Sequence, residues 1–157
     1  GGYGDCLEVS DVLVAECLQG GLSVVCVDAG SGSATAEAGL TDLSADVASF
    51  GDVVHRVGEG LAEVPWGSMA ALERRSMKPA TLLAALSDVY AVVVVATGRI
   101  GMASALPLFA GLDCRLVLVA DERSDPALLH AAHDDAAALG YDVAHVIWLP
   151  QLRAKVA

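Results

Sequence analysis

Short apolar runs rich in valine, each closed by Asp, Gly or Pro and separated by stretches with helical spacing, constrain this chain more than anything else in it. Leu22 to Val27 ends in Asp28 and the Gly/Ser-rich loop Gly30 to Ser33. The design repeats in Leu61 to Val64 before Pro65, Ala91 to Ala96 before Thr97-Gly98, Arg115 to Ala120, and Val143 to Trp148 before Leu149-Pro150. Within these runs apolar residues are nearly continuous, which is the pattern of strands covered on both faces. Five strands are predicted.

The intervening segments carry helix signals. Asp5 to Gln19 places Leu7, Val12, Leu13, Cys17 and Leu18 at near-helical spacing and stops at Gly20-Gly21. Lys78-Pro79 opens a shorter helix with Leu82, Leu83 and Leu86 on one face, and Asp125-Pro126 caps another that Gly140 closes. Strand and helix in alternation dictate right-handed crossovers and a mostly parallel sheet. The expected fold is α/β and doubly wound, one domain over residues 1–157, with no internal repeat and no linker. One irregularity remains: a glycine loop at Gly1 to Gly4 normally follows a strand. Either a first strand lies upstream of these residues, or the fold manages without it.

Composition narrows the function. Nine Lys+Arg against twenty Asp+Glu give a net charge of −11, which argues against nucleic acid and anionic membrane surfaces as partners. Cys6, Cys17, Cys26 and Cys114 form no C-x-x-C pair and read as reduced structural thiols in a cytosolic protein, the first three in apolar surroundings. The longest apolar run, Val89 to Ala96, is less than half a membrane span, and no signal peptide is apparent, so the chain is expected to be soluble.

Gly1-Gly2-Tyr3-Gly4-Asp5-Cys6 has the glycines of a phosphate-cradling loop and a helix behind it. Such a loop also needs a Lys for the terminal phosphates and a Ser or Thr for magnesium. Where those would stand, the chain reads Gly4-Asp5-Cys6. Exchanging the cation for a carboxylate turns an attraction into a repulsion, each on the order of 4 kcal/mol at surface-like dielectric. A net loss of about 4 kcal/mol after screening is roughly a thousandfold in affinity. Two other readings stand beside this one. Gly2-x-Gly4 with Asp28 resembles a dinucleotide fingerprint, although Leu7 occupies its third glycine position. The plainer reading makes the glycines a tight turn and Asp5 a helix N-cap.

Asp28 reads either as an acid that orients a magnesium-bound water or a ribose, or as a cap on its own loop. His55, His130, His133 and His145 are scattered without metal-ligand spacing and read as solvated or singly hydrogen-bonded. Asp134 and Asp135 beside His130 and His133 make a solvated helix face. No nucleophile-elbow context supports hydrolase chemistry. No catalytic and no metal-binding residues are expected.

Taken in order, several segments resemble the bacterial tyrosine kinase domains, a branch of the MinD/ParA-like P-loop ATPases. The strand ending in Asp28-Ala29-Gly30 is similar to one that ends in Asp-x-Asp in that family. Gly39-Leu40-Thr41-Asp42-Leu43 echoes its Gly-Leu and helix, Val64-Pro65-Trp66-Gly67 its Pro-x-Gly turn, and Pro79-Ala80-Thr81-Leu82-Leu83 its Pro-x-Glu-Leu-Leu helix. The segment from Tyr90 to Arg99 is similar to the Tyr-Asp-x-hydrophobic run that closes on Asp-Thr-Pro-Pro, with Ala96 at the position of the magnesium-orienting Asp.

The resemblance implies a degenerate nucleotide site at Gly1, Gly2, Gly4, Asp5, Cys6 and Asp28. The Lys, the hydroxyl, one loop aspartate and the later aspartate are missing together. No cofactor is expected, and ATP with magnesium is disfavoured. The family's tyrosine-rich tail has no counterpart here, since Tyr3, Tyr90 and Tyr141 lie within the domain. The implied parent is a polysaccharide co-polymerase of the Wzc/ExoP type. Its homo-oligomeric kinase-like domain sits at the cytoplasmic face of the bacterial inner membrane against the export machinery, with any membrane attachment outside these residues. An active autokinase with unusual motifs and a nucleotide-cofactor oxidoreductase are the alternatives.

Overall fold

A computed structural model describes residues 3–147. All three expected helices form: α1 (Tyr3–Gln19), α4 (Lys78–Val89) and α6 (Pro126–Ala138). Between the first two lie α2 (Leu40–Ser44) and α3 (Phe50–Val53), and α5 (Leu106–Phe109) precedes α6. The five expected strands appear as β1 (Val24–Asp28), β3 (Leu61–Val64), β4 (Val92–Ala96), β5 (Arg115–Ala120) and β6 (Asp142–Ile147). Trp148 lies outside the described residues. A sixth strand, β2 (His55–Gly58), was not expected; it is an antiparallel edge with a register shift between Arg56 and Gly58.

The architecture is mixed α/β and mostly parallel. In the first sheet the order is β2-β3-β1-β4, with β1 parallel to both β3 and β4. A separate pair, β5 and β6, is also parallel. The continuous sheet expected from the sequence is therefore broken between β4 and β5 in the described residues.

The core sits around β1. Val24, Val25 and Val27 are at most 1% exposed, and Leu40, Leu43, Val53, Ala62, Val64, Leu82, Leu83 and Leu86 close over them. The apolar face read on α4 is therefore buried as expected. On α1 it is not: Val9 is buried, but Leu7 and Leu13 are 40% and 43% exposed. This helix packs on the broken part of the sheet, where there is less to cover it. The thiols of Cys6, Cys17 and Cys26 are half-buried rather than core, and Cys114 is exposed; all four are free. Among the described residues no helix is long and apolar enough to cross a membrane.

Candidate functional site at the carboxyl ends of β1 and β4

Parallel strands present their carboxyl ends to a common crevice, and the amino end of a following helix brings backbone N–H groups to it. Here β1 ends at Asp28, whose Cα partner on β4 is Ala96, and the Ala29 N–H donates to the Ala96 carbonyl at 2.9 Å. Cys6, in the first turns of α1, reaches the same place: its thiol lies within range of the Gly98 backbone N–H and the Asp28 charge. The structure thus brings together Cys6, Asp28 and the position of the missing second acid. Gly1 and Gly2 lie outside the described residues. Gly4 has open space around it, and Asp5 falls inside the first turn of α1 rather than before it. The expectation of an Asp5 N-cap is corrected accordingly. A carboxylate in that turn still suits the helix dipole.

Asp28 acts on its own loop. Its Oδ1 accepts the Gly30 N–H at 3.1 Å and the Ser31 N–H at 2.9 Å, so the turn-capping reading is the one realised. Behind it, the loops after β1 and β4 touch. A Cβ on Gly30 would stand 2.3 Å from the Gly98 nitrogen and from the Thr97 carbonyl carbon. Gly98 has φ +74°, and a Cβ there would stand 2.7 Å from the Gly30 oxygen. Two glycines let the backbones meet at this point.

Electrostatically the crevice holds no lysine among the described residues, but Arg99 lines it beside Cys6, Thr97 and Gly98. Burial pushes the Cys6 thiol up, a shift opposed by the Gly98 N–H and Ser10 and assisted by Asp28, which works against the thiolate form. The lysines of the chain are Lys78, paired with Asp46, and Lys155, outside the described residues. Arg74 and Arg99 were not singled out in the sequence. They line a neighbouring cavity of about 480 Å³ with Gly30, Ser31, Gly32 and Trp66, and no acid lines it. A basic residue just past a strand's Thr-Gly turn was the available signal for Arg99.

A second polar cluster orders the neighbouring loops. Asp42, 4% exposed, accepts the Gly39 N–H at 2.9 Å, the Ser68 N–H at 2.9 Å and the Ser68 hydroxyl. Burial alone would raise its carboxyl; the Ser68 and Gly39 donors overcome that and hold it below the usual carboxylate value.

The histidines are less scattered in space than in sequence. His133 Nδ1 and His145 Nε2 lie 2.7 Å apart, with their rings stacked between α6 and β6. His55 Nε2 lies 2.8 Å from the Ala38 carbonyl, and His130 lies 3.6 Å from Asp134 on the exposed helix face. The described residues hold no group of three or more His, Cys, Asp or Glu placed to share a metal ion. Tyr141 is buried with its hydroxyl donating to the Leu106 carbonyl at 2.6 Å.

No protein-family model and no curated protein matches the sequence. Solved structures do match. The BceF tyrosine kinase domain superposes with a TM-score of 0.70 at 20% identity, covering 94% of this chain and 64% of its own length. The VpsO kinase domain gives 0.66 at 20% identity, covering 82% and 70%. The chimerical protein CapA2B2 gives 0.64 at 18%, covering 83% and 64%. This chain therefore spans 64% of the length of the BceF domain. Over the matched part it has the fold of the tyrosine kinase domains that its ordered motifs resemble.

Proposed function

We propose that this chain is a non-catalytic relative of the bacterial tyrosine kinases, one degenerate P-loop NTPase-like domain with a doubly wound sheet, working through protein–protein contacts. Its setting would be exopolysaccharide or capsule biosynthesis and export. There it would oligomerise and meet the export machinery at the cytoplasmic face of the inner membrane, held by segments outside these residues.

The observation that carries this reading is the Asp28/Ala96 pair at the strand ends. A magnesium triphosphate needs an acid pair and a cation there. In this chain one acid is replaced by a methyl group, the other caps its own turn through Oδ1, and the adjoining loops are in backbone contact. With Asp5 and Cys6 in place of a Lys and a hydroxyl, the residues do not fit the group. A buried acid without its metal is costly, so an alanine at 96 is the stable choice once the ion is lost.

Isothermal titration with Mg-ATP tests the proposal. No saturable heat is expected at micromolar concentrations. Micromolar affinity, or phosphotyrosine found by mass spectrometry after incubation with Mg-ATP and other metals, would replace it with the autokinase reading.

A further inference from the structure

In a chain with twenty Asp+Glu against nine Lys+Arg, a cation is expected to find a carboxylate. Lys78 does so with Asp46, and Arg115 with Asp142. Arg74 and Arg99 do not: among the described residues neither guanidinium has an ion pair or a side-chain hydrogen bond. Both line the same cavity of about 480 Å³, which the loops after β1, β3 and β4 enclose. All twenty acids of the chain lie among the described residues, yet none lines this cavity. The acids closest in sequence are engaged elsewhere: Asp28 accepts the Gly30 and Ser31 N–H groups, and Glu73 accepts the Arg75 N–H. Two unpaired positive charges are therefore held at one place against the sign of the whole molecule.

The rest of the lining suits an organic anion. Ser104 is only 6% exposed; its Oγ accepts the Leu106 N–H at 3.2 Å, and its own proton has no acceptor among the described residues. A buried hydroxyl ordinarily has one. Ser31 is half-buried and similar, its Oγ accepting the Ser33 N–H at 3.3 Å. Trp66 commits its indole N–H to the Met69 carbonyl at 2.9 Å, so the cavity meets its ring rather than its donor. The exposed arginines stand at the mouth and Ser104 at the floor. The volume is that of a small-molecule site. Arg99 occupies the last position of the segment similar to Asp-Thr-Pro-Pro, where that motif has a proline, so this cation is no part of the motif.

We propose that this cavity binds, without a metal ion, a phosphate monoester of a small oxygen-bearing compound, a sugar phosphate being the simplest form. Arg74 and Arg99 hold the phosphoryl oxygens at the mouth, each guanidinium a planar fork matched to such oxygens. The ester carries about −1.5 to −2 near neutral pH, which two guanidinium groups balance. Its organic part enters beside the Trp66 ring and offers Ser104 an acceptor oxygen. Magnesium has no place here, since no carboxylate lines the cavity and two cations repel it. The proposal is independent of whether the crevice binds Mg-ATP.

Fluorescence of Trp66, isolated by Trp148→Phe, tests it by titration with glucose 1-phosphate in EDTA at fixed ionic strength. A saturable change is expected at submillimolar concentration; inorganic phosphate should compete more weakly and glucose not at all. Arg74→Gln and Arg99→Gln should each weaken binding at least about tenfold. Arg99→Lys keeps the charge without the fork and should fall between the parent and Arg99→Gln. Arg75→Gln, outside the cavity, should change nothing. All three arginines are exposed, so these variants are expected to fold. No saturation at millimolar concentration would overturn the proposal, as would undiminished binding in both glutamine variants. Equal weakening by Arg75→Gln would overturn it too, by reducing the effect to a diffuse positive field. So would a requirement for magnesium, which would assign the ligand to the crevice.

Discussion

The contact between the loops after β1 and β4 makes Gly30→Ala a sharp test of the crevice. The new methyl carbon would lie 2.3 Å from two backbone atoms and 2.6 Å from a third, the Gly98 Cα. None of these is the flexible end of a side chain, so the loops must part. Overpacking of this kind typically costs about 1–3 kcal/mol. Gly98→Ala meets a milder clash, 2.7 Å from the Gly30 oxygen, but also forces a side chain into the left-handed region at a cost of about 1–2 kcal/mol. A loss of about 3 kcal/mol in a domain of this size lowers Tm by roughly 6–12 °C. Urea unfolding reads the same quantity as a fall in midpoint at constant slope. Two controls separate the causes. Gly32→Ala has φ +64° with nothing within 4 Å, so it isolates the backbone term, while Gly101→Ala has open space and no positive φ and is expected to be neutral. A Gly30→Ala protein as stable as Gly101→Ala would refute the loop contact, and with it the steric part of the case against a bound triphosphate.

Asp42→Asn is expected to cost about 3 kcal/mol at neutral pH, because hydrogen bonds to a buried charge contribute about 1.5–3 kcal/mol. Since the folded state holds the Asp42 carboxyl below its ordinary value, its contribution is complete above about pH 4 and is lost as pH falls through the lowered value; the variant should lack that acid-dependent component in denaturation curves taken at successive pH values. Tyr141→Phe removes the bond to Leu106 and should cost about 1 kcal/mol by urea unfolding. In the parent protein, burial with a smaller contribution from Cys114 pushes this tyrosine up to about 12, so one phenolate should emerge late in an ultraviolet titration. Stability should fall as pH climbs past the ordinary tyrosine value of about 10, where the unfolded chain ionises first.

Much of this fold is legible locally. β3 and β5 stand where the apolar runs put them, and Pro79 and Pro126 mark helix starts because each sits in the first helical turn. What is not legible is non-local or short. His55-Arg56-Val57-Gly58 has no apolar period and becomes a strand only by pairing with β3. The four residues of α3 and of α5 are too few to show a helical repeat. At the site, the Asp28 turn follows from an Asp before Gly and Ser, a signal within a few residues. The Gly30/Gly98 contact and the meeting of His133 with His145 depend on which elements become neighbours, and no local pattern encodes that. The exposure of Leu7 and Leu13 has the same origin: the helical spacing is right, but which helical face is covered depends on what packs against it.

The Asp42 carboxylate ties residue 39 to residue 68, and its partner on the far side lies twenty-six positions away in sequence. Fastenings of this sort are internal, so the connections flanking the crevice are cross-tied by the protein's own side chains. Two loops far apart in sequence thereby move as one unit, and loosening either end of the tie would loosen the other.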